Sequence, residues 1–161
     1  MKNSIRTLLA LLALLAVGCD APNLDTDPLV ILGTGETEFV ALTDGVDDLP
    51  LARGIQGGQH VWGALRVTGL DWTNLTATWE LRDEDGDKAT ETTTIRQSLN
   101  HCTRSDDACE QGMGEIVAVT VIMDDPSDVR GQELSMQVEV TDEDGRAATA
   151  TTMIRPVTSI D

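Results

Sequence analysis

Two segments of the chain are near copies of each other, and any fold must accommodate both. Leu75–Arg96 aligns without a gap on Leu134–Arg155, an offset of 59, with 12 identities in 22 positions. Each copy is an alternating run, an Asp-Glu-Asp-Gly turn and a returning Thr-rich run. In the first, Leu75, Ala77, Trp79 and Leu81 alternate with Thr76, Thr78, Glu80 and Arg82. In the second, Leu134, Met136, Val138 and Val140 keep the same phase. Successive side chains of a strand point to opposite faces, so this period gives each strand one buried and one solvated face. Gly86 and Gly145 supply the residue that tolerates positive φ in a tight turn. Each copy is therefore expected to be a β-hairpin.

The rest of the chain also reads as strands. Glu38–Leu42, His60–Thr68 and Ile116–Met123 are short apolar or alternating runs between glycine and acidic turns. On His60–Thr68 the pattern puts Val61, Gly63, Leu65 and Val67 on one face and Trp62, Ala64 and Arg66 on the other. No stretch after the N-terminal apolar run carries a helical period. The expectation is an all-β domain of about seven antiparallel strands. With three Trp, one Phe and no Tyr, the core must be built of aliphatic residues around tryptophan. Trp79 is in phase with its apolar neighbours and is expected to anchor that core. Trp62, on the opposite face to Val61 and Leu65, and Trp72, in the turn after Gly69-Leu70-Asp71, are expected to matter less.

Two similar hairpins among seven strands resemble an immunoglobulin-like or fibronectin type III-like β-sandwich, over roughly residues 36–158. The resemblance implies that Trp79 matches the buried tryptophan of the family's third strand. The family's inter-sheet disulfide and its tyrosine corner have no counterpart in this sequence.

The first eighteen residues are a targeting segment. A basic head, Met1–Thr7, precedes ten consecutive apolar residues, Leu8–Val17. As a helix that run spans about 15 Å, half of a bilayer core, so it fits a secretory signal and not a transmembrane span. It ends Leu15-Ala16-Val17-Gly18-Cys19, which resembles the lipobox of bacterial lipoproteins. The resemblance implies cleavage before Cys19, a diacylglycerol on its thiol and acylation of the new N-terminus. The expected organisation is signal peptide 1–18, lipidated cysteine and flexible tether 19–35, with a short strand at its end, and β-sandwich 36–161. Localisation follows as the bacterial cell envelope, on the periplasmic or cell-surface side, held by the lipid. Of the other cysteines, Cys102 and Cys109 form an even pair in an oxidising compartment. Closing their eight-residue ring is worth roughly 2.5 kcal/mol in the chain-entropy picture. A metal or redox pair is the alternative, but only His60 and His101 could add soft ligands.

The formal charge is −17, and loss of residues 1–18 removes two basic groups and no acid. Such a chain cannot cluster the cations that phosphate contacts need, which excludes nucleic acid as a partner. An envelope protein or a glycan remains open. Asp83, Asp85 and Asp87, around Gly86, form a calcium-like cluster, but they lack EF-hand spacing, and Asp-Gly is also ordinary turn chemistry. His60 and Trp62, next to the Gln56-Gly57-Gly58 turn, are candidate ligand contacts. There is no Gly-x-Ser-x-Gly elbow, His-Glu-x-x-His pair or phosphate-binding glycine loop, so no catalytic residue and no cofactor other than calcium is singled out. The reading is a lipid-anchored, non-enzymatic binding or structural module. A hydrolytic enzyme using surface carboxylates and a calcium-binding adhesion module are the alternatives.

Overall fold

The structure, a computed structural model, describes residues 22–54, 58–99, 113–123 and 126–158. Within these, the protein is all-β. The strands are β1 (Leu29–Thr34), β2 (Val40–Ala41), β3 (Val46–Arg53), β4 (Gln59–Thr68), β5 (Leu75–Arg82), β6 (Thr93–Gln97), β7 (Gly114–Met123), β8 (Leu134–Thr141) and β9 (Ala147–Thr158); one helical turn, α1 (Pro126–Val129), precedes β8. They form a single mixed, curled sheet in the order β2-β1-β4-β3-β9-β8-β5-β6, with β7 on the other side of β4.

Two differences from the sequence expectation stand out. There are nine strands among the described residues, not about seven. The additional strands are β1, in the expected tether, where Val30 and Leu32 are buried, and β3, whose Asp47-Asp48-Leu49-Pro50 stretch reads as a loop but buries Leu49 and Leu51, while the expected strand Glu38–Leu42 shrinks to the two-residue β2. And the sheet is not purely antiparallel, because β3 runs parallel to β9 from Val46↔Met153 to Leu51↔Thr158. At Ala52 and Arg53 the same strand leaves β9 and pairs with β4 instead. β3 is the hinge of the curl. It carries Pro50, which cannot donate to a ladder and so belongs on a strand with only one paired edge at that point.

The repeat acquires a geometric meaning in the order β9-β8-β5-β6. The two copies, β5-β6 and β8-β9, lie back to back, with β5 and β8 antiparallel at the centre. Trp79 and Val138 are equivalent by the offset of 59, and they are also direct partners across the ladder. An antiparallel pair in which a residue faces its own equivalent has a local two-fold axis at that pair. The four strands therefore form a pseudo-symmetric sheet centred on Trp79 and Val138, and the two acidic turns point to opposite ends of it.

The symmetry is broken on the returning strands. In the second copy β8 and β9 pair without interruption from Thr141↔Ala147 to Leu134↔Ile154. In the first, Arg82 opposite Lys88 matches that register, but Trp79 then pairs with Thr93, two residues further than strict equivalence allows. The surplus is absorbed between Ala89 and Thr92. Thr90 tucks inward there, and Lys88 Nζ and Thr92 Oγ1 both reach Glu80 Oε1, at 2.6 and 3.3 Å.

The inner faces follow the alternation. Leu75, Ala77, Trp79, Leu81, Leu134, Met136, Val138 and Val140 are all fully buried, against Val61, Leu65 and Val67 of β4. Gly63 lets the largest of them in, since a Cβ there would sit 3.2 Å from both Trp79 Nε1 and Val121 Cγ2. Trp72 corrects the expectation of a marginal turn residue: only 3% of it is exposed, and it packs where a Cβ on Gly114 would be, 3.0 Å from its ring. A turn can bury a large ring when it crosses the end of the sheet, and Leu99 N–H donating to Trp72 O at 2.9 Å pins this one there.

Trp79→Ala and Trp72→Ala should each cost about 3–5 kcal/mol through lost burial and the cavity left behind, while Trp62→Ala, half-buried on the outer face, should cost less than either. Denaturant unfolding of residues 20–161 checks this; a Trp72→Ala variant as stable as the parent would show that its burial contributes little.

Candidate functional site

The sequence-predicted residues fall in three places. Cys19, Cys102 and Cys109 lie outside the described residues. His60 and Trp62 lie on the outer face of β4. Asp83, Asp85 and Asp87 lie in the turn after β5.

On β4 the alternation places His60, Trp62, Ala64 and Arg66 away from the main core, yet His60 is 7% and Ala64 0% exposed. The covering element is the segment between β1 and β2. Gly35 O accepts a hydrogen bond from Ala118 N on β7 at 3.0 Å, whereas Phe39 lies directly over Gly33 of β1. The segment therefore spans β4 and closes over its outer face. Ala118 is free to reach it because β7 bulges opposite Gly63–Leu65, putting Ala118 at φ +59°. Arg66 stacks its guanidinium 4.4 Å above the Phe39 ring and pairs with Glu115 at 3.0 Å, its ladder partner on β7. These contacts build a small second core, with Phe39 as its lid. The lone phenylalanine was visible in the sequence; that it turns back over a glycine of the neighbouring strand was not.

His60 sits at one end of this layer. Its ring meets Trp62 edge to face at 4.4 Å, and its buried Nε2 has no hydrogen-bond partner. Burial lowers its pKa, an effect opposed by the charge of Glu36. With its Nε2 closed off from solvent, His60 has the placement of a packed side chain, and of the two candidates Trp62 is the less buried.

The acidic turns are alike in backbone and different in surroundings. In each, the glycine N–H donates to the first Asp carbonyl and closes a tight turn, Gly86 to Asp83 at 3.1 Å and Gly145 to Asp142 at 3.2 Å. Both glycines take positive φ, +84° and +81°, as the sequence required. The first aspartate then caps the turn from within. Asp83 Oδ1 accepts from the amides of Asp85 and Asp87, and Asp142 Oδ1 from that of Arg146. Asp83 thus spends its carboxylate on turn amides, and among the described residues no three His, Cys, Asp or Glu side chains converge as metal ligands. The second turn is tied into the domain. Asp142 is buried and its Oδ2 accepts Asp71 N–H at 3.1 Å, while Glu143 holds Asn74 and Arg96. Arg146, which stands where the first copy has Asp87, donates to Thr26 O at 2.9 Å.

Beside β9, Val30, Leu32, Leu42, Thr43 and Thr152 line an open groove of about 200 Å³, smaller than ordinary ligand pockets. Glu80 is held below the usual carboxylate range by hydrogen bonds from Lys88 and Arg82, which marks it as a fixed ionic hub and not an acid catalyst poised near neutrality. No protein-family model matches the chain, and no curated protein matches it.

The lowered His60 pKa fixes a sign. The unfolded imidazole takes up a proton before the folded one does, so stability is full above about pH 6.5 and falls as pH drops below it. Unfolding of the wild type and His60→Gln between pH 7.5 and 5.5 should show that loss in the wild type and a flatter profile in the variant; parallel profiles would place the titration elsewhere.

Proposed function

We propose that this chain is a lipid-anchored, non-enzymatic module of the bacterial cell envelope, built on an immunoglobulin-like β-sandwich. The signal-like N-terminus carries the reading: a basic head, ten apolar residues and Gly18-Cys19. Acyl chains on Cys19 supply the two-signal anchoring that a single chain does not. The domain reading is supported by connectivity. β4 pairs with β7, β5 with β8 and β8 with β9, all antiparallel, and β3 runs parallel to β9 before passing to β4. An immunoglobulin-like sandwich joins its two sheets in this way, with its first strand shared between them and its central tryptophan on the third. Counted from β3, Trp79 is on the third strand. The outer-face layer under Phe39 and the buried His60 favour a packing role for residues that an enzyme or a ligand site would leave accessible. Cys102 and Cys109 are proposed to be joined by a disulfide in the segment between β6 and β7.

Mass spectrometry of the mature protein tests both covalent claims. The expected N-terminal peptide starts at Cys19 with acyl chains, and Cys19→Ser should accumulate as uncleaved, unacylated precursor. A free N-terminus beyond Cys19 would overturn the anchor. Non-reducing digestion should yield one peptide linking Cys102 to Cys109; free alkylation of both thiols in the oxidised protein refutes the bridge.

A further inference from the structure

The contacts of the N-terminal segment define which end of the domain would meet a membrane. Two residues, Asp20 and Ala21, separate Cys19 from Pro22, where the described structure begins, and the three Cα–Cα steps between them span at most about 11 Å. From there the chain is held. Asn23 caps its own turn through Asp25 N–H and Thr26 Oγ1, at 3.2 and 3.0 Å. Thr26 O then accepts from Arg146 at the second acidic turn. Asp27 crosses Gly69 so closely that a Cβ there would lie 2.5 Å from its carbonyl oxygen. Leu29 enters the sheet opposite Thr68, the last residue of β4. The attachment point, the 69–74 loop and the second turn thus share one end. The first turn is at the other, because β5 and β8 are antiparallel and Arg82 pairs with Ser135 while Thr76 pairs with Thr141. The start of β4 at Gln59 is there too, joined to Arg130 just after α1.

We propose that the domain stands end-on at the lipid surface, with the second turn (Asp142–Arg146) towards the membrane and the first turn (Asp83–Asp87) presented outward, about 20–25 Å further away by strand rise. The orientation rests on the lipid-anchor reading and is decided by the Arg146–Thr26 clamp, which the first copy of the repeat lacks. Divergence of the two copies then has a physical meaning. The second turn is fastened to the entry segment, and the first keeps Glu84, Asp85 and Asp87 exposed as the outward surface.

The sequence supplies the probe. After loss of residues 1–18, Lys88, beside the first turn, is the only lysine. An amine-reactive donor on Lys88 of the acylated protein, in phosphatidylcholine vesicles carrying a headgroup acceptor, should transfer energy roughly twofold less than a donor on Asp144→Lys in a Lys88→Arg background, given a strand rise of about 3.3 Å per residue. Arg146→Ala should narrow that difference. Equal transfer from both positions, or greater transfer from Lys88, overturns the orientation. Failure of the acylated chain to float with vesicles defeats the anchor reading instead. The same donors on a chain bound to nickel-chelating vesicles by a hexahistidine tag before Asp20 then decide the orientation separately.

Discussion

The pairing of β5 with β8 around Trp79 is the constraint on which the rest of the structure depends. It places the largest side chain of the core on the local two-fold axis of a duplicated sheet, opposite its own equivalent, Val138. Two tryptophans at such a point would compete for one volume and two valines would leave a void, and interiors tolerate neither. The unequal pair resolves this, and Gly63 on β4 accepts the excess of the indole. One contact therefore sets the register of the central strands and the distance at which the other half of the curl can approach.

From that centre the asymmetries follow in order. β3 is needed to connect the halves, and it can do so only by pairing in turn with β9 and β4, which makes the sheet mixed. The outer face of β4 would carry an exposed Trp, His and Arg row, but the segment crossing from β1 to β7 and back covers it. The two turns of the repeat share their internal hydrogen bonds because those are properties of an Asp-x-x-Gly sequence. They differ in their neighbours because one of them meets the entry of the chain.

The same pattern governs the charges. Most acids of the described residues lie on the surface, and the ionic contacts among them include Arg66 with Glu115, Arg96 with Glu143, Arg155 with Asp48 and Glu133, and Glu80 with Arg82 and Lys88. Exposed pairs of this kind contribute little each. Their value here is positional, since Arg155 links β9 to β3 and Arg66 links β4 to β7 while clasping Phe39.

What the sequence determined by itself was whatever depends on neighbours along the chain. The period-two alternation of Leu75–Arg82 and Leu134–Thr141 decided which faces are buried, and Asp-Glu-Asp-Gly decided the turns and the positive φ of Gly86 and Gly145. The offset of 59 announced two equivalent units. Tertiary structure alone decided how those units meet, because an antiparallel dyad and a side-by-side repeat have the same sequence signature. It also decided that Trp72 is core, that His60 is sealed and that Asp142 is buried while its equivalent Asp83 is not. Each of those depends on a segment far away in the chain — Gly114, Gly35–Phe39, Asp71 — whose arrival leaves no periodic trace in the residues it covers.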